Sequence, residues 1–145
     1  MSHPAILKTI EAFGETTYIA DPSQIVDLCR DFKDKEKYVR LSGLTAVDWH
    51  PAEPRFEVVY HLHSIERNSR VRIKCKLSGE KPEIDSVYSV WRSADWHERE
   101  VFDLFGIKFR NHPNMTRILM PIDWDGHPLR KDYPVHGYKY SYPNE

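Results

Sequence analysis

The sequence predicts an α+β domain of two layers, in which a small, mainly antiparallel sheet carries helices on one face and is followed by an extended C-terminal arm. Amphipathic helical patterns occupy the N-terminal region, and three segments of alternating apolar residues follow between positions 39 and 77. After Gly106 the periodicity stops and prolines recur. We therefore place the globular domain at residues 1–106 and the arm at residues 107–145.

The N-terminal elements are predicted to be a helix, a short strand and a second helix. Pro4 suits a first helical turn, and one helical face up to Gly14 carries Ile6, Leu7, Ile10 and Phe13. Residues 16–20 have the character of a strand. Asp21 is a candidate N-cap of the second helix, whose buried face carries Ile25, Leu28, Cys29 and Phe32.

Three strands are predicted next, each with alternating apolar positions. The faces are Val39, Leu41, Thr45, Val47 and Trp49 in the first, Phe56, Val58, Tyr60 and Leu62 in the second, and Val71, Ile73, Cys75 and Leu77 in the third. The turns between them are short and polar, which favours an antiparallel meander. One face should pack against the helices, and the other should meet water or a partner.

Two helices are predicted before the arm. A short one is indicated by Ile84, Val87, Tyr88 and Trp91. A stronger one begins after Ser93 as N-cap and buries Ala94, His97, Val101, Leu104 and Phe105. Gly106 is placed to end it in the left-handed conformation. Arg99 and Asp103 lie four residues apart and are expected to pair across its surface.

The arm combines proline with large apolar side chains. Residues 107–145 hold five of the ten prolines, which disfavour helices and central strands alike. The same segment carries Phe109, Met115, Ile118, Leu119, Met120, Trp124 and Leu129. A disordered tail is usually poor in such residues. We therefore expect the arm to be buried on another chain.

Composition narrows the class of protein. The net charge of −1 gives no general reason to expect binding to nucleic acid or anionic lipid. The two cysteines, Cys29 and Cys75, are too few for an iron–sulfur cluster and suit a reducing compartment. No segment is long and apolar enough to span a bilayer, so we expect no direct transmembrane segment.

Residue patterns leave two alternative functions open. A metal-dependent hydrolase could use His97, Glu100 and His112, or His61 and His63, although position 101, where a zinc protease helix needs its second histidine, is Val101. A nucleic-acid-binding module could use the cations Arg70, Arg72, Lys74 and Lys76, but their face shows no stacking aromatics. Signatures of nucleotide binding and of a serine nucleophile are absent from the sequence.

The C-terminal tract resembles a known family. The residues concerned are ADWHEREVFDLFGI at 94–107, His112-Pro113, RILMP at 117–121 and DWDGHPLRKDYP at 123–134. This tract is similar to the signature of the 30-kDa-type (NuoC) subunit of respiratory complex I, the proton-translocating NADH:quinone oxidoreductase. The residues that carry the signature, and that the resemblance makes candidates for a partner interface, are Glu98, Arg99, Glu100, Asp103, His112, Pro113, Arg117, Asp123, Trp124, His127, Pro128, Arg130, Lys131, Asp132 and Tyr133.

The resemblance implies a hydrophilic subunit of the quinone module, with no catalytic, cofactor-binding or metal-binding residue of its own. FMN and iron–sulfur clusters would belong to other subunits of the enzyme. The arm would pack on the 49-kDa-type (NuoD) quinone-site subunit, near the iron–sulfur subunits of the peripheral arm. The chain would then be peripheral, on the cytoplasmic side of a bacterial inner membrane. Membrane-bound hydrogenases and ferredoxin-linked dehydrogenases use related subunits and are the alternative.

Overall fold

A computed structural model describes residues 2–134 of the chain. Its strands are β1 (Ile6–Ala12), β2 (Glu15–Ala20), β3 (Arg40–Asp48), β4 (Phe56–Ser64), β5 (Ser69–Leu77), β6 (Glu83–Asp85) and β7 (Lys108–Arg110). Its α-helices are α1 (Ile25–Asp34) and α2 (Ala94–Phe105). No helix in the described range is long and apolar enough to cross a membrane.

The main sheet has five strands in the order β1-β2-β5-β4-β3. All its pairs are antiparallel except β2 with β5, which is parallel. Strands β6 and β7 form a separate parallel pair. The predicted α+β class, with a mainly antiparallel sheet, is confirmed.

The core lies between one face of the sheet and the helices. Phe32 of α1 packs against Tyr18 of β2, with ring centroids 5.4 Å apart. Tyr60 and Ile73 from the central strands are fully buried in the same cluster as Val101 of α2. The cluster also contains Ile107 and Phe109, so the core continues past Gly106.

The predicted N-terminal helix is wrong, because Ile6–Ala12 forms the edge strand β1. Phe13 and Gly14 both have positive φ, at 54° and 75°, as a two-residue turn between hairpin strands requires. The chain can therefore pair β1 with β2, and this tertiary pairing overrides the helical spacing. Phe13 is fully exposed at the turn and Leu7 is largely exposed.

The predicted buried face of the first central strand is correct only at Leu41, since Val39 precedes β3 and is exposed and the later positions are wrong. The register with β4 shifts between Leu41 and Gly43, where β3 bulges. One extra residue moves the following side chains to the opposite face. Leu44, Ala46 and Asp48 therefore point to the core in place of Thr45, Val47 and Trp49.

The short helix predicted at residues 84–91 is also wrong. Ile84 lies in β6, and the amide of Ser86 donates to the carbonyl of Arg110 at 2.8 Å. The amide of Val87 donates to the carboxylate of Glu98 at 2.9 Å. Because Ile84 and Asp85 pair with β7 in the extended conformation, only a single turn forms after them, between Val87 and Trp91.

The helix predicted after Ser93 is α2, and its left-handed end at Gly106, with φ 77°, is confirmed. Ser93 precedes it but makes no capping hydrogen bond through its side chain. The buried residues are Ala94, Glu98, Val101, Asp103 and Phe105, whereas the predicted His97 and Leu104 are only partly buried. The part of the predicted arm beyond Pro134 lies outside the described residues.

Candidate protein-protein interface

The carboxylate of Asp103 holds the first part of the arm. Asp103 lies on the inner side of α2 and is fully buried. Its Oδ2 accepts hydrogen bonds from the amides of Ile118, Leu119 and Met120, at 3.2, 2.7 and 2.9 Å. Its Oδ1 accepts from Nη1 of Arg117 at 2.7 Å. One anion thus fixes four consecutive residues of the arm through charge-assisted bonds.

The environment of Asp103 favours its ionised form. Burial opposes ionisation, but the amide of Met120 and the guanidinium of Arg117 stabilise the anion more strongly. The pKa of Asp103 is therefore lowered from its ordinary value.

Arg117 ties the arm to itself as well as to α2. Its Nη1 also donates to the carbonyl of Asp103 at 3.1 Å. Its Nη2 donates to the carbonyls of Trp124 and Gly126, at 3.0 and 2.8 Å. The planar guanidinium can serve these separate acceptors because its donors have a fixed fork geometry. It thereby closes the loop between residues 117 and 126.

The C-terminal end of α2 is the second attachment point. Helix ends leave carbonyls without intrahelical partners, and they carry partial negative charge. The carbonyl of Asp103 accepts from Nδ1 of His127 at 2.9 Å, and that of Leu104 from the amide of Leu129 at 2.9 Å. The carbonyl of Phe105 accepts from Nε of Arg130 at 2.6 Å. The arm therefore caps the helix.

Gly106 leaves room for this cap. A Cβ at Gly106 would lie 2.5 Å from Nη2 of Arg130 and 2.6 Å from Cδ2 of His127. Both contacts are shorter than side chains tolerate. Glycine is thus required here twice, once for the positive φ of 77° and once for the approach of the arm.

A third attachment joins the arm to the start of β4. Arg55 binds both oxygens of the buried Asp48 at 2.9 Å, and its Nη2 reaches Oδ1 of Asp132 at 2.7 Å. The amide of Lys131 donates to Oδ2 of Asp48 at 2.8 Å. The guanidinium carbons of Arg55 and Arg130 lie 5.0 and 5.2 Å from the ring centroid of Phe56.

Asp48 and Arg55 were not among the predicted interface residues. Asp48 is the last residue of β3 and Arg55 directly precedes β4, so the turn between the two strands brings them together. Asp48 points inward only because β3 bulges, so the sequence alone gives little signal for the pair.

The remaining members of the signature have different roles. The predicted surface pair of Arg99 and Asp103 is wrong, because Arg99 donates to the carbonyls of Thr116 and Arg117, each at 3.1 Å. Glu98 is fully buried, and its Oε1 accepts from Ser86 and Val87. Glu100 and Pro113 are exposed.

The imidazole of His112 contacts two residues, Asn114 and Asp95. Its Nδ1 accepts from the amide of Asn114 at 2.9 Å, so Nε2 carries the proton. That Nε2 lies 3.2 Å from the carbonyl oxygen of Asp95 and 3.0 Å from its Oδ1. Between residues 2 and 134, no group of three or more His, Cys, Asp or Glu side chains is arranged to hold a metal ion.

The attached arm presents apolar side chains to solvent. Ile122 is 92% exposed, Leu119 61% and Leu129 52%. Trp124 is half-buried, and its Nε1 donates to the hydroxyl of Tyr133 at 2.9 Å. Asp123, Lys131 and Asp132 are exposed, while Pro128 is half-buried. Polar contacts with α2 and with the start of β4 thus hold the segment in place, and its apolar side chains face the solvent.

Comparisons with known proteins agree with this signature. The model of the family "Respiratory-chain NADH dehydrogenase, 30 Kd subunit" matches residues 18–139. The chain belongs to this family.

Several relatives of this 30 kDa subunit family are similar along most of their length. The C subunit of NADH-quinone oxidoreductase from Citrifermentans bemidjiense is 48% identical over 92% of this chain and 83% of its own. That of Geobacter sulfurreducens is 48% identical over 92% and 83%. The C 2 subunit of NADH-quinone oxidoreductase from Rhizobium meliloti is 47% identical over 88% and 71%.

Two solved structures share the fold. A trypsin-resistant fragment (1–134) of Nqo5 aligns with a TM-score of 0.67 at 28% identity, over 72% of this chain and 85% of its own. A chain of the membrane-bound sulfane sulfur reductase, an archaeal respiratory membrane complex, aligns with a TM-score of 0.66 at 26% identity, over 91% and 79%. The fold of this chain is therefore shared with a chain of an archaeal respiratory membrane complex.

Proposed function

We propose that this chain, a 30 kDa-type subunit by family, is a structural subunit of NADH-quinone oxidoreductase whose arm packs on the 49-kDa-type quinone-site subunit. The observation that carries the proposal is the exposure of Leu119, Ile122 and Leu129 on a segment that three polar attachments hold in place. Preorganised apolar side chains lose little entropy on binding, which favours a stable interface.

In this proposal, some residues of the signature hold the arm in place within the chain, and others contact a neighbouring subunit. Asp103, Arg117 and His127 bind within the chain and set the shape of the arm. Side chains that are exposed or half-buried can reach a neighbour, and they include Arg99, Glu100, Pro113, Asp123, Trp124, Pro128, Lys131, Asp132 and Tyr133. Neighbouring iron–sulfur subunits of the peripheral arm are further candidates for these contacts. The division between a domain at 1–106 and an arm at 107–145 stays a prediction.

We propose that no cofactor is held by this chain, so that FMN and iron–sulfur clusters belong to other subunits. Cys29 and Cys75 are fully buried on α1 and β5, and a cluster normally needs four thiolates. Burial raises the pKa of both thiols, which disfavours the thiolate that binds metal. Attachment to the cytoplasmic side of the membrane would then occur through the assembled enzyme.

The related complexes remain the alternative, since one similar structure comes from a sulfane sulfur reductase. Relatives at 47% to 48% identity are named as NADH-quinone oxidoreductase subunits, which favours the first assignment.

The test is co-purification of the enzyme with a surface variant. Leu119→Ser, Ile122→Ser and Leu129→Ser together should release the quinone-site subunit and lower quinone reduction. The matched control is Leu7→Ser with Phe13→Ser, which changes exposed apolar residues of the β1–β2 hairpin. Retention of the quinone-site subunit by the arm variant would contradict the proposal.

A further inference from the structure

The sheet face opposite the helices carries an excess of positive charge. The strand register directs six cations to it, and they are Lys8, Arg40, Arg70, Arg72, Lys74 and Lys76. The carboxylates on the same face are Glu15 and Glu57. The face thus carries +4, whereas the whole chain carries −1. Such an asymmetry makes this face attractive to anionic partners.

The cations differ in how far they are neutralised. Arg72 pairs with Glu15, and Nζ of Lys74 lies 3.6 Å from Glu57. Arg70 and Lys76 are exposed, and neither forms an ion pair with any residue that the structure describes. They lie at the two ends of β5, so the positive charge that is not neutralised lies at both ends of the strand.

The face also has an apolar floor and a depression. Val59 is 5% exposed yet lies outside the main core cluster, because it points to this side of the sheet. A depression of about 310 Å³ is lined by residues that include Ser42, His61, Arg70 and Arg72. Burial, and after it the charge of Arg72, lowers the pKa of His61, which fits a positive local potential.

The spacing of the cations indicates the form of the partner. Alternate side chains on a strand recur about every 6.7 Å, so Arg70, Arg72, Lys74 and Lys76 make a straight row at that repeat. An extended polypeptide presents its own alternate side chains at the same repeat. Proteins that bind single-stranded nucleic acid interleave stacking aromatic side chains with such charges. The outward positions of β4 and β5 are His, Val, Glu, Lys and Arg, with no Phe, Tyr or Trp, which favours a polypeptide over a nucleic acid.

We propose that this cationic face, in the assembled enzyme, binds an extended acidic segment of a neighbouring polypeptide. The proposal rests on the proposed function, since it requires a multisubunit complex. It adds a second interface on the side of the sheet opposite the helices. Carboxylates of the segment would pair with Arg70 and Lys76 and compete with Glu57 for Lys74.

Zero-length cross-linking of the intact complex tests the proposal. A carbodiimide joins a lysine amine to a carboxylate with which it is in contact. We expect peptides that link Lys74 or Lys76 to Asp or Glu of another polypeptide. The intrachain link between Lys74 and Glu57 is the internal control for reactivity. Recovery of that link alone, while Lys131 in the arm cross-links to a neighbour, would overturn this proposal and leave the proposed function standing.

A pair of neutralised variants provides the second readout. Arg70→Gln with Lys76→Gln should increase dissociation of the chain from the complex at low salt roughly fivefold, and the difference should vanish at high salt. Arg30→Gln with Lys108→Gln removes the same charge from exposed sites on α1 and β7 and should leave dissociation unchanged. Equal effects of the two pairs would overturn the proposal. The proposal would also be overturned if the isolated full-length chain bound phosphatidylserine vesicles, if Arg70→Gln with Lys76→Gln abolished that binding, and if no cross-link to protein were found.

Discussion

Oδ1 of Asp103 lies 2.7 Å from Nη1 of Arg117, and the other oxygen of the same carboxylate accepts three successive backbone amides of the arm. This contact makes a helix residue the anchor for a segment that has no regular secondary structure. The first prediction is that Asp103→Asn lowers the free energy of unfolding by about 3 kcal/mol, because it leaves the charge of Arg117 without its partner. Chemical denaturation measures the loss. Glu100→Gln, an exposed change on the same helix, is the control and should stay within about 0.5 kcal/mol of the parent chain. A loss for Asp103→Asn no larger than that of the control would contradict the anchor role.

The second prediction compares two glycines. Gly14 and Gly106 have φ of 75° and 77°, but a Cβ at Gly14 meets nothing within 4 Å. Gly14→Ala should therefore cost only the backbone strain, about 1 kcal/mol. Gly106→Ala adds the clash with Arg130 and His127 and should cost at least about 1 kcal/mol more. Limited proteolysis should also cut residues 127–134 faster in Gly106→Ala alone. Identical losses of unfolding free energy in Gly14→Ala and Gly106→Ala would show that the arm does not pack closely against Gly106.

The third prediction concerns the buried Glu98. Burial raises its pKa from 4.5 to about 7, against the opposing hydrogen bonds from Ser86 and Val87. Because the folded pKa is the higher one, the contribution of Glu98 to stability is fully present below about pH 4.5 and is lost as the pH rises to about 7. The loss is up to about 3 kcal/mol. Glu98→Gln should remove this slope and raise the Tm at about pH 8 relative to the parent chain. Thermal unfolding across that range checks it, and parallel pH profiles for the two proteins would refute it.

The fourth prediction is an opposite dependence at acid pH. The pKa of Asp103 is lowered, so its contribution is present above its ordinary value of 3.8 and is lost as the pH falls through the folded pKa. Asp103→Asn should therefore flatten the decline in unfolding free energy below about pH 4. Asp21→Asn is a useful comparison, since the pKa of Asp21 is also lowered but that residue is only half-buried and caps a turn. An unchanged acid decline in Asp103→Asn would assign the effect to other carboxylates.

The sequence predicted the three central strands, helix α1 and the C-terminal end of α2. Alternating apolar residues, helical spacing and a glycine after a helix are local signals. The sequence did not predict β1, because the helical spacing of Ile6 and Ile10 competes with pairing to β2, which depends on distant residues. It missed the shift at Gly43 for the same reason, since a bulge is set by the partner strand.

The arm shows the same limit of sequence reasoning. The family signature includes Arg117, His127 and Arg130. It does not indicate that these side chains bind carbonyls of α2, because those contacts form only when the arm folds back on the helix. Asp48 and Arg55 carry no signature of their own and were missed. Long-range polar contacts of this kind have no sequence period, so only the structure identifies them.

Thiol labelling at position 122 measures whether the arm is covered by a neighbouring subunit in the assembled enzyme. Cys29 and Cys75 are fully buried, so Ile122→Cys adds a single accessible thiol within the described residues. Glu80→Cys, on an exposed turn before β6, is the reference position. We predict that the new thiol of the Ile122→Cys variant reacts as fast as that of Glu80→Cys in the isolated chain and becomes protected in the assembled enzyme. Equal reactivity of the Ile122→Cys thiol in the isolated chain and in the assembled enzyme would contradict an interface at the arm.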